Sequence, residues 1–314
     1  MYYLLFKSLK KLIFQCGFVS IAIGVLCFIL TKMLSGDAAY RIAAARYGYD
    51  LVDTAAAQAV RAELGLDQAI WLQLLRWLGD VLRFDLGKSM VSGSPVIEEV
   101  SELIAMTFQL SLTAWLLAIV VGVVLGWVAA TGNKLTKAVI NFYSTVIRSS
   151  PSFLIGLVLI IIFAIQLKWL PVAGHGEINN VILPALTLAL FLSASIAQVV
   201  QSKLEQVLQS DSYEFTLIKG VPVYAALYRH ALPATALPTI AYAGVQFILL
   251  MEGVVVVETL FAWPGIGHAL VHAVVARDVP MIQGTAIITT ILFISFSTLI
   301  DFLVKLADPR QRVR

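Results

Sequence analysis

The chain has 314 residues, is 60% hydrophobic and only 13% charged, and carries a net charge of +3. A soluble domain carries about 25% charged residues, so an ordinary water-soluble globular protein is excluded. The small net charge and the scattered basic residues also exclude a nucleic-acid footprint.

The apolar excess falls into blocks of about 20 residues, the length of a helix crossing about 30 Å of hydrocarbon. The fold class is therefore an all-α polytopic membrane protein. Six spans are drawn at about 12–34, 106–130, 142–167, 181–202, 235–257 and 284–306.

Lys7, Lys10 and Lys11 precede the first span. Its apolar run is too long for the core of a cleaved signal peptide, and no small-residue cleavage site closes it. Residues 1–34 are read as a retained anchor helix. Cys16 and Cys27 both lie in it. Eleven helical residues separate them by about 16 Å, too far for a disulfide.

Residues 35–105 form a long segment with acids in excess over bases. Helical apolar spacing runs through 54–64 and 68–84, for example at Ile70, Leu72, Leu75, Trp77 and Leu78. Leu82 to Val96 is turn-rich, with Gly87, Gly93 and Pro95. The expectation is a small extracytoplasmic helical cap, followed by a core over 106–314 with five spans.

In the third span, Arg148-Ser-Ser-Pro151 interrupts the apolar run. Proline removes a helix donor and restricts the residue before it. Either the span begins near Pro151 and is short, or it is a kinked helix starting near Lys137. The loop after it, Trp169-Leu-Pro171-Val-Ala-Gly174-His175, reads as an outer turn.

Lys and Arg in the short loops set orientation. Lys7, Lys10, Lys11, Lys134, Lys137, Lys203, Lys219, Arg229, Lys305 and Arg310 share one side, against Lys168 and Arg277 on the other. Both termini are expected in the cytoplasm, as is the loop over 203–234.

That loop holds the stretch that organises the chain. Glu214 to Ile218 ends a short helix, with Gly220 near its C-cap. Pro222 opens a second helix running to about Ala231, and Pro233 is expected to separate it from the next span. Such a compact helical pair suits a groove in a cytoplasmic partner.

The loop after span five, Glu258-Thr-Leu-Phe261-Ala-Trp263-Pro264-Gly265, is densely punctuated, and His268 to Val275 is apolar enough to lie on the protein or re-enter the membrane. His268 and His272 share a helix face, and His175 is expected on the same outer side. A third ligand is missing nearby in sequence, so no metal site is drawn. Catalysis has nothing to stand on: no phosphate-binding loop, no nucleophile–base pair and no HExxH. Gly87-Lys88-Ser89 lacks the glycine and the strand that such a loop needs. No cofactor is expected, and the chain is read as not an enzyme.

The spacing of Glu214, Gly220, Leu232 and Pro233 resembles the EAA loop of permease subunits in ATP-binding-cassette importers. Phe215 and Thr216 stand where alanines are usual, and His230 where isoleucine is usual. Gly65-Leu-Asp67-Gln68, Asp85-Leu-Gly87, Trp169-Leu-Pro171, Arg229-His230-Ala231-Leu232, Glu258 to Gly265, Arg277-Asp278 and Asp308-Pro-Arg310 resemble the peptide/nickel importer permeases. The long outer segment is typical of the B-type member of the permease pair.

The resemblance implies a type I importer permease working with a second homologous permease, two cytoplasmic ATPase subunits and an extracytoplasmic solute-binding protein. It assigns ATPase coupling to Glu214, Phe215, Thr216, Lys219, Gly220, His230, Leu232 and Pro233. It places Glu258, Trp263, Pro264 and Gly265 at the outer gate or at the cap contacting the binding protein, with Glu258 otherwise capping a turn. Glu252, near the outer end of span five, carries a charge that costs about 3 kcal/mol at the bilayer centre. It is read either as a pathway acid meeting a cationic or metal-bearing cargo, or as an acid paired with the second permease, and otherwise as a side chain snorkelling to the outer surface. A self-contained secondary transporter or channel is the rival class. It calls for several intramembrane charges or inverted repeats, and only Glu252 and Asp301 qualify here.

Overall fold

The computed structural model describes residues 2–33, 36–48, 52–83, 85–174 and 176–307, without the side chains of 2–9, 11, 12, 178, 252, 301 and 303–307. Among these residues the regular structure is helical, apart from one isolated antiparallel bridge between Lys88 and Pro95. The chain divides into two compact units. One holds the residues up to Thr107 with Pro264–Thr298, and the other holds Phe108–Trp263 with the chain from Leu299 onward.

The first unit begins with α1 (Tyr2–Met33), then the short helices α2 (Ala38–Tyr47), α3 (Thr54–Glu63) and α4 (Ile70–Val81). Asp37 and Asp53 sit at the N-caps of α2 and α3, and their carboxylates accept from Ala39 N–H at 2.9 Å and Ala56 N–H at 2.7 Å. Burial pushes the Asp37 carboxyl up, but the hydrogen bond from Arg61 and the Ala39 N–H outweigh it and hold it below its usual range. Ile42, Ala43 and Val60 join α2 to α3 in a small core with Val52, Leu64 and Met90 against it. Arg46 ties this pair to the turn segment, donating to Met90 O at 2.6 Å and pairing with Glu63 at 2.9 Å.

In the same unit, α5 (Val96–Thr131) starts ten residues before the expected second span. Its first turn carries Glu98 and Glu99, which favour a helix N-terminus. Later come α13 (Ile266–Ala276) and α14 (Val279–Ala307). Val96, Val100, Ile266, Ala273, Met281 and Ile282 form one core there. Asp278, 2% exposed, accepts from Ser89 Oγ at 2.5 Å, Met90 N–H at 3.1 Å and Met281 N–H at 3.2 Å. One carboxylate thus fixes the turn segment and caps α14. Arg277 stands in the left-handed region at φ 60° and donates to Gly36 O at 2.7 Å.

The second unit is built around α8 (Ile178–Leu208), the most buried of the long helices among the described residues. Gly122 and Gly126 of α5 lie against it. A Cβ at Gly126 would stand 2.5 Å from Ala197 O and 2.6 Å from Val200 Cβ, and one at Gly122 would stand 2.7 Å from Ile196 Cβ. This four-residue spacing of glycines lets two membrane helices touch backbone to backbone. α6 (Lys134–Ser149) packs on α8, burying Ile140 and Ser144 and setting the Tyr143 hydroxyl 3.2 Å from Ser193 Oγ.

At Ser150 and Pro151 the backbone turns extended, and α7 (Ser152–Leu159) with its π-helical extension Ile160–Gln166 leaves α6 at 107°. A separate helix opens at Ser152, just past Pro151, and a 107° bend is far sharper than the kink of a single helix starting near Lys137. Among the described residues, five helices are long and apolar enough to cross a membrane, and this bent pair makes a sixth if counted as one span.

Candidate functional site

Following α8, α9 (Asp211–Ile218) opens on Ser210, whose hydroxyl accepts from Tyr213 N–H at 3.3 Å. Lys219 closes the helix, and Gly220 follows at φ 82°, a left-handed conformation that suits glycine. Its N–H donates to Leu217 O at 2.9 Å. Pro222 then stands at the N-cap of α10 (Val223–Ala226).

One expectation fails here. Pro233 does not separate the second short helix from the span. A π-helical turn, Leu227–Ala231, carries α10 directly into α11 (Leu232–Gly253), so the helix is continuous from Val223 to Met251. A proline clashes with the carbonyl four residues back, and the wider π turn relieves that clash without breaking the rod.

Beneath the loop, Leu204, Tyr213, Ala226 and Ala231 are buried together, with Trp127 and Ala130 packed against them. This core clamps α9 and α10 to the ends of α5 and α8. Above it the loop shows the opposite character. Ile218, Tyr224 and Tyr228 are 74%, 75% and 72% exposed, and Phe215 and Val223 are exposed beside them. Lys219 Nζ lies 4.4 Å from the Phe215 ring centroid, covering one face of it. Glu214, Lys219, His230, Leu232 and Pro233 are exposed, whereas Thr216 is half-buried and donates to Ser212 O at 2.8 Å. The structure therefore brings the predicted coupling residues onto one protruding pair of helices.

A polar groove of about 400 Å³ lies beside α8, lined by Asn141, Gln198, Gln201, Ser202, Glu205 and Gln209 among others. Lys137 pairs with Glu205 at 2.8 Å, and Arg148 bonds to Gln198. Side-chain amides offer donor and acceptor together. Sequence reasoning passed over these glutamines. Their spacing at 198, 201, 205 and 209 keeps one helix face and was the available signal.

At the other end of α11 the helix breaks at Val254 and α12 (Val255–Leu260) follows. The backbone at Glu252 is helical, and its side chain lies outside the described residues. Glu258 is fully buried, and its carbonyl accepts from Trp263 N–H at 2.8 Å. Phe261 and Trp263 are buried, and the turn between them places Ala262 at φ 46°. Gly156 of α7 packs against this turn, where a Cβ would meet Leu260 Cδ2 at 2.7 Å. Pro264 is half-buried, and Gly265 stands at the N-cap of α13, whose Ile266 N–H donates to Thr107 Oγ1 at 2.8 Å.

The rings of His268 and His272 pack edge to face with centroids 4.5 Å apart. Burial, and then the charge of His272, push His268 below the ordinary histidine range. Among the described residues no group of three His, Cys, Asp or Glu could hold a metal ion. His175 and Asp308 to Arg310 lie outside the described residues, as does the side chain of Asp301.

Residues 122–313 match the family described as binding-protein-dependent transport system inner membrane component, and the chain belongs to that family. It is 35% identical over 303 residues to a Brucella abortus protein assigned as a peptide transport system permease, covering 94% of this chain and 95% of that one. It is 34% identical over 297 residues to a glutathione transport system permease protein of Pectobacterium atrosepticum, covering 92% and 94%. The crystal structure of an amino acid ABC transporter with histidines shares its fold at a TM-score of 0.55 and 18% identity, over 67% of this chain and 94% of that one. The chain is a multi-pass inner-membrane permease.

Proposed function

We propose that this chain is one of two homologous permease subunits of an ATP-driven importer for short peptides, with nickel or a related small chelate as the other cargo that the resemblance allows. The observation that carries the reading is the stretch Glu214 to Pro233. It is an exposed aromatic and aliphatic ridge seated on its own buried core and continuous with a membrane-crossing helix.

In this reading both termini and the ridge face the cytoplasm, six spans cross the membrane, and two ATPase subunits receive the ridges of the two permeases. Residues 1–34 anchor the chain, 35–105 lie outside near the solute-binding protein, and 106–314 form the permease core with its coupling loop at 203–234. Closure of the ATPase pair on ATP pushes on Ile218, Tyr224 and Tyr228. The clamp under Tyr213 and Ala226 keeps the two short helices from yielding. The push therefore passes through the unbroken rod of α10 and α11 to the buried outer turn at Glu258 and Trp263. The amides at Asn141, Gln198 and Gln201 offer hydrogen bonds to a passing peptide main chain whatever its side chains.

The test is ATP hydrolysis in lipid nanodiscs holding this chain, its second permease and the ATPase subunits. Peptide-loaded binding protein is expected to raise the rate several-fold, and a rate indifferent to it refutes the reading. Glu252 keeps its two proposed roles, and Glu252→Gln separates them. Loss of uptake for a cationic peptide alone marks a pathway acid, and equal loss for cationic and neutral peptides marks a contact with the second permease.

A further inference from the structure

α4 is held against α1 at two heights. Gln73 accepts a hydrogen bond from Lys32 Nζ at 2.8 Å near the end of α1, and Trp77 packs onto Gly24 so closely that a Cβ at Gly24 has no room. Gly24 lies nine residues before Met33, the last residue of α1, a depth of about 14 Å at 1.5 Å per residue. α1 is long and apolar enough over Ile13–Met33 to cross a membrane, which would set its middle in hydrocarbon. Gln73 and Trp77 share one face of α4, so α4 runs down alongside α1 and does not merely lie across its end.

The opposite face of α4 is apolar. Trp71, Leu75 and Leu82 recur at four- and seven-residue spacing and are 64%, 56% and 72% exposed. Arg76, Asp80 and Arg83 occupy a separate flank, and Arg76 is tied back to Gln68 Oε1 at 2.5 Å. On α1, the outward residues Leu26, Ile29, Leu30 and Met33 are equally exposed and uncharged.

We propose that α4 is sunk into the outer leaflet of the bilayer and that its Trp71–Leu75–Leu82 stripe contacts lipid acyl chains. The seat at Gly24 fixes the depth, and the solvent of α1 at that depth is lipid. A helix gains membrane binding by burying its apolar face, and Arg76, Asp80 and Arg83 keep to a flank separate from that stripe. The extracytoplasmic segment is then pinned to the membrane at a set height, by lipid as well as by its own core.

Spin labels test this in the whole chain with Cys16 and Cys27 replaced by alanine, reconstituted in phosphatidylcholine and phosphatidylglycerol nanodiscs. Labels go singly at residues 71, 75, 82, 76 and 80, and collisions with oxygen and with a water-soluble nickel chelate are compared. The ratio of oxygen to nickel collisions is expected to be several-fold higher at 71, 75 and 82 than at 76 and 80. Nickel-dominated collisions at 75 and 82 overturn the proposal by placing the stripe in water. Exclusion of both reagents overturns it by placing a protein partner there. With Gly24→Ile, the label at 75 is expected to shift toward nickel, and no shift overturns the seat on α1.

Discussion

Replacing Tyr224 with alanine and Ile218 with glutamate is expected to leave the permease folded and inserted but unable to hold its ATPase. Both side chains are about three-quarters exposed, so the substitutions remove nothing from the core. Exposed aromatic anchors of this kind commonly supply about 2 kcal/mol or more of an interface, roughly a thirtyfold change in affinity for one of them. A buried glutamate on the ATPase side adds the cost of an unpaired charge. Co-purification of the ATPase subunits with the variant reads the loss directly, and wild-type recovery of the complex would remove the ridge from the coupling surface. Gly220→Val probes the same joint differently. The residue stands at φ 82°, where a β-branched side chain is strained, so the angle between α9 and α10 shifts while the exposed ridge keeps its chemistry.

Gly126→Leu is expected to have the largest effect on the fold itself. The new Cβ falls within 2.5 Å of the Ala197 carbonyl, a backbone atom that moves only if α8 moves. Overpacking a close crossing costs about 1–3 kcal/mol and sometimes more. Lipid adds no hydrophobic drive to hold the helices together, so the close approach is itself the attraction. The variant should show reduced abundance in the membrane and a lower unfolding temperature in detergent. Gly17→Ala is the matched control, because nothing lies within 4 Å of its Cβ position. Wild-type stability for Gly126→Leu would mean that α5 and α8 do not meet there.

Much of this architecture is legible in the sequence because lipid leaves few options. Blocks of about 20 apolar residues form helices, since a backbone in hydrocarbon must bond to itself. The same hydropathy signal marks only the apolar part of α5, which begins ten residues earlier. It stops where Glu98, Glu99 and Glu102 begin, although acids near a helix N-terminus favour the helix. Pro151 announced an interruption, but its 107° angle depends on how α6 and α7 each pack on α8. Pro233 was misread in the other direction. A proline just past a short helix is a stop signal in isolation, and the π turn that leads into it is a property of the packed chain.

At the site, Glu214, Gly220 and Pro233 stood out by spacing. What makes the loop stiff did not, because Trp127, Leu204, Tyr213 and Ala231 come together only in three dimensions. The Asp278 cluster was hidden for the same reason, since Ser89 lies 189 residues away.

The central claim is that this chain moves cargo by borrowing ATP energy through the loop from Glu214 to Pro233. The most direct measurement is uptake of a labelled peptide into proteoliposomes containing the full assembly. Uptake is predicted to require internal ATP and the external binding protein, to ignore proton and sodium gradients, and to vanish with the Tyr224→Ala, Ile218→Glu variant. Uptake by this chain without ATPase subunits, driven by an ion gradient and unchanged in that variant, would contradict it.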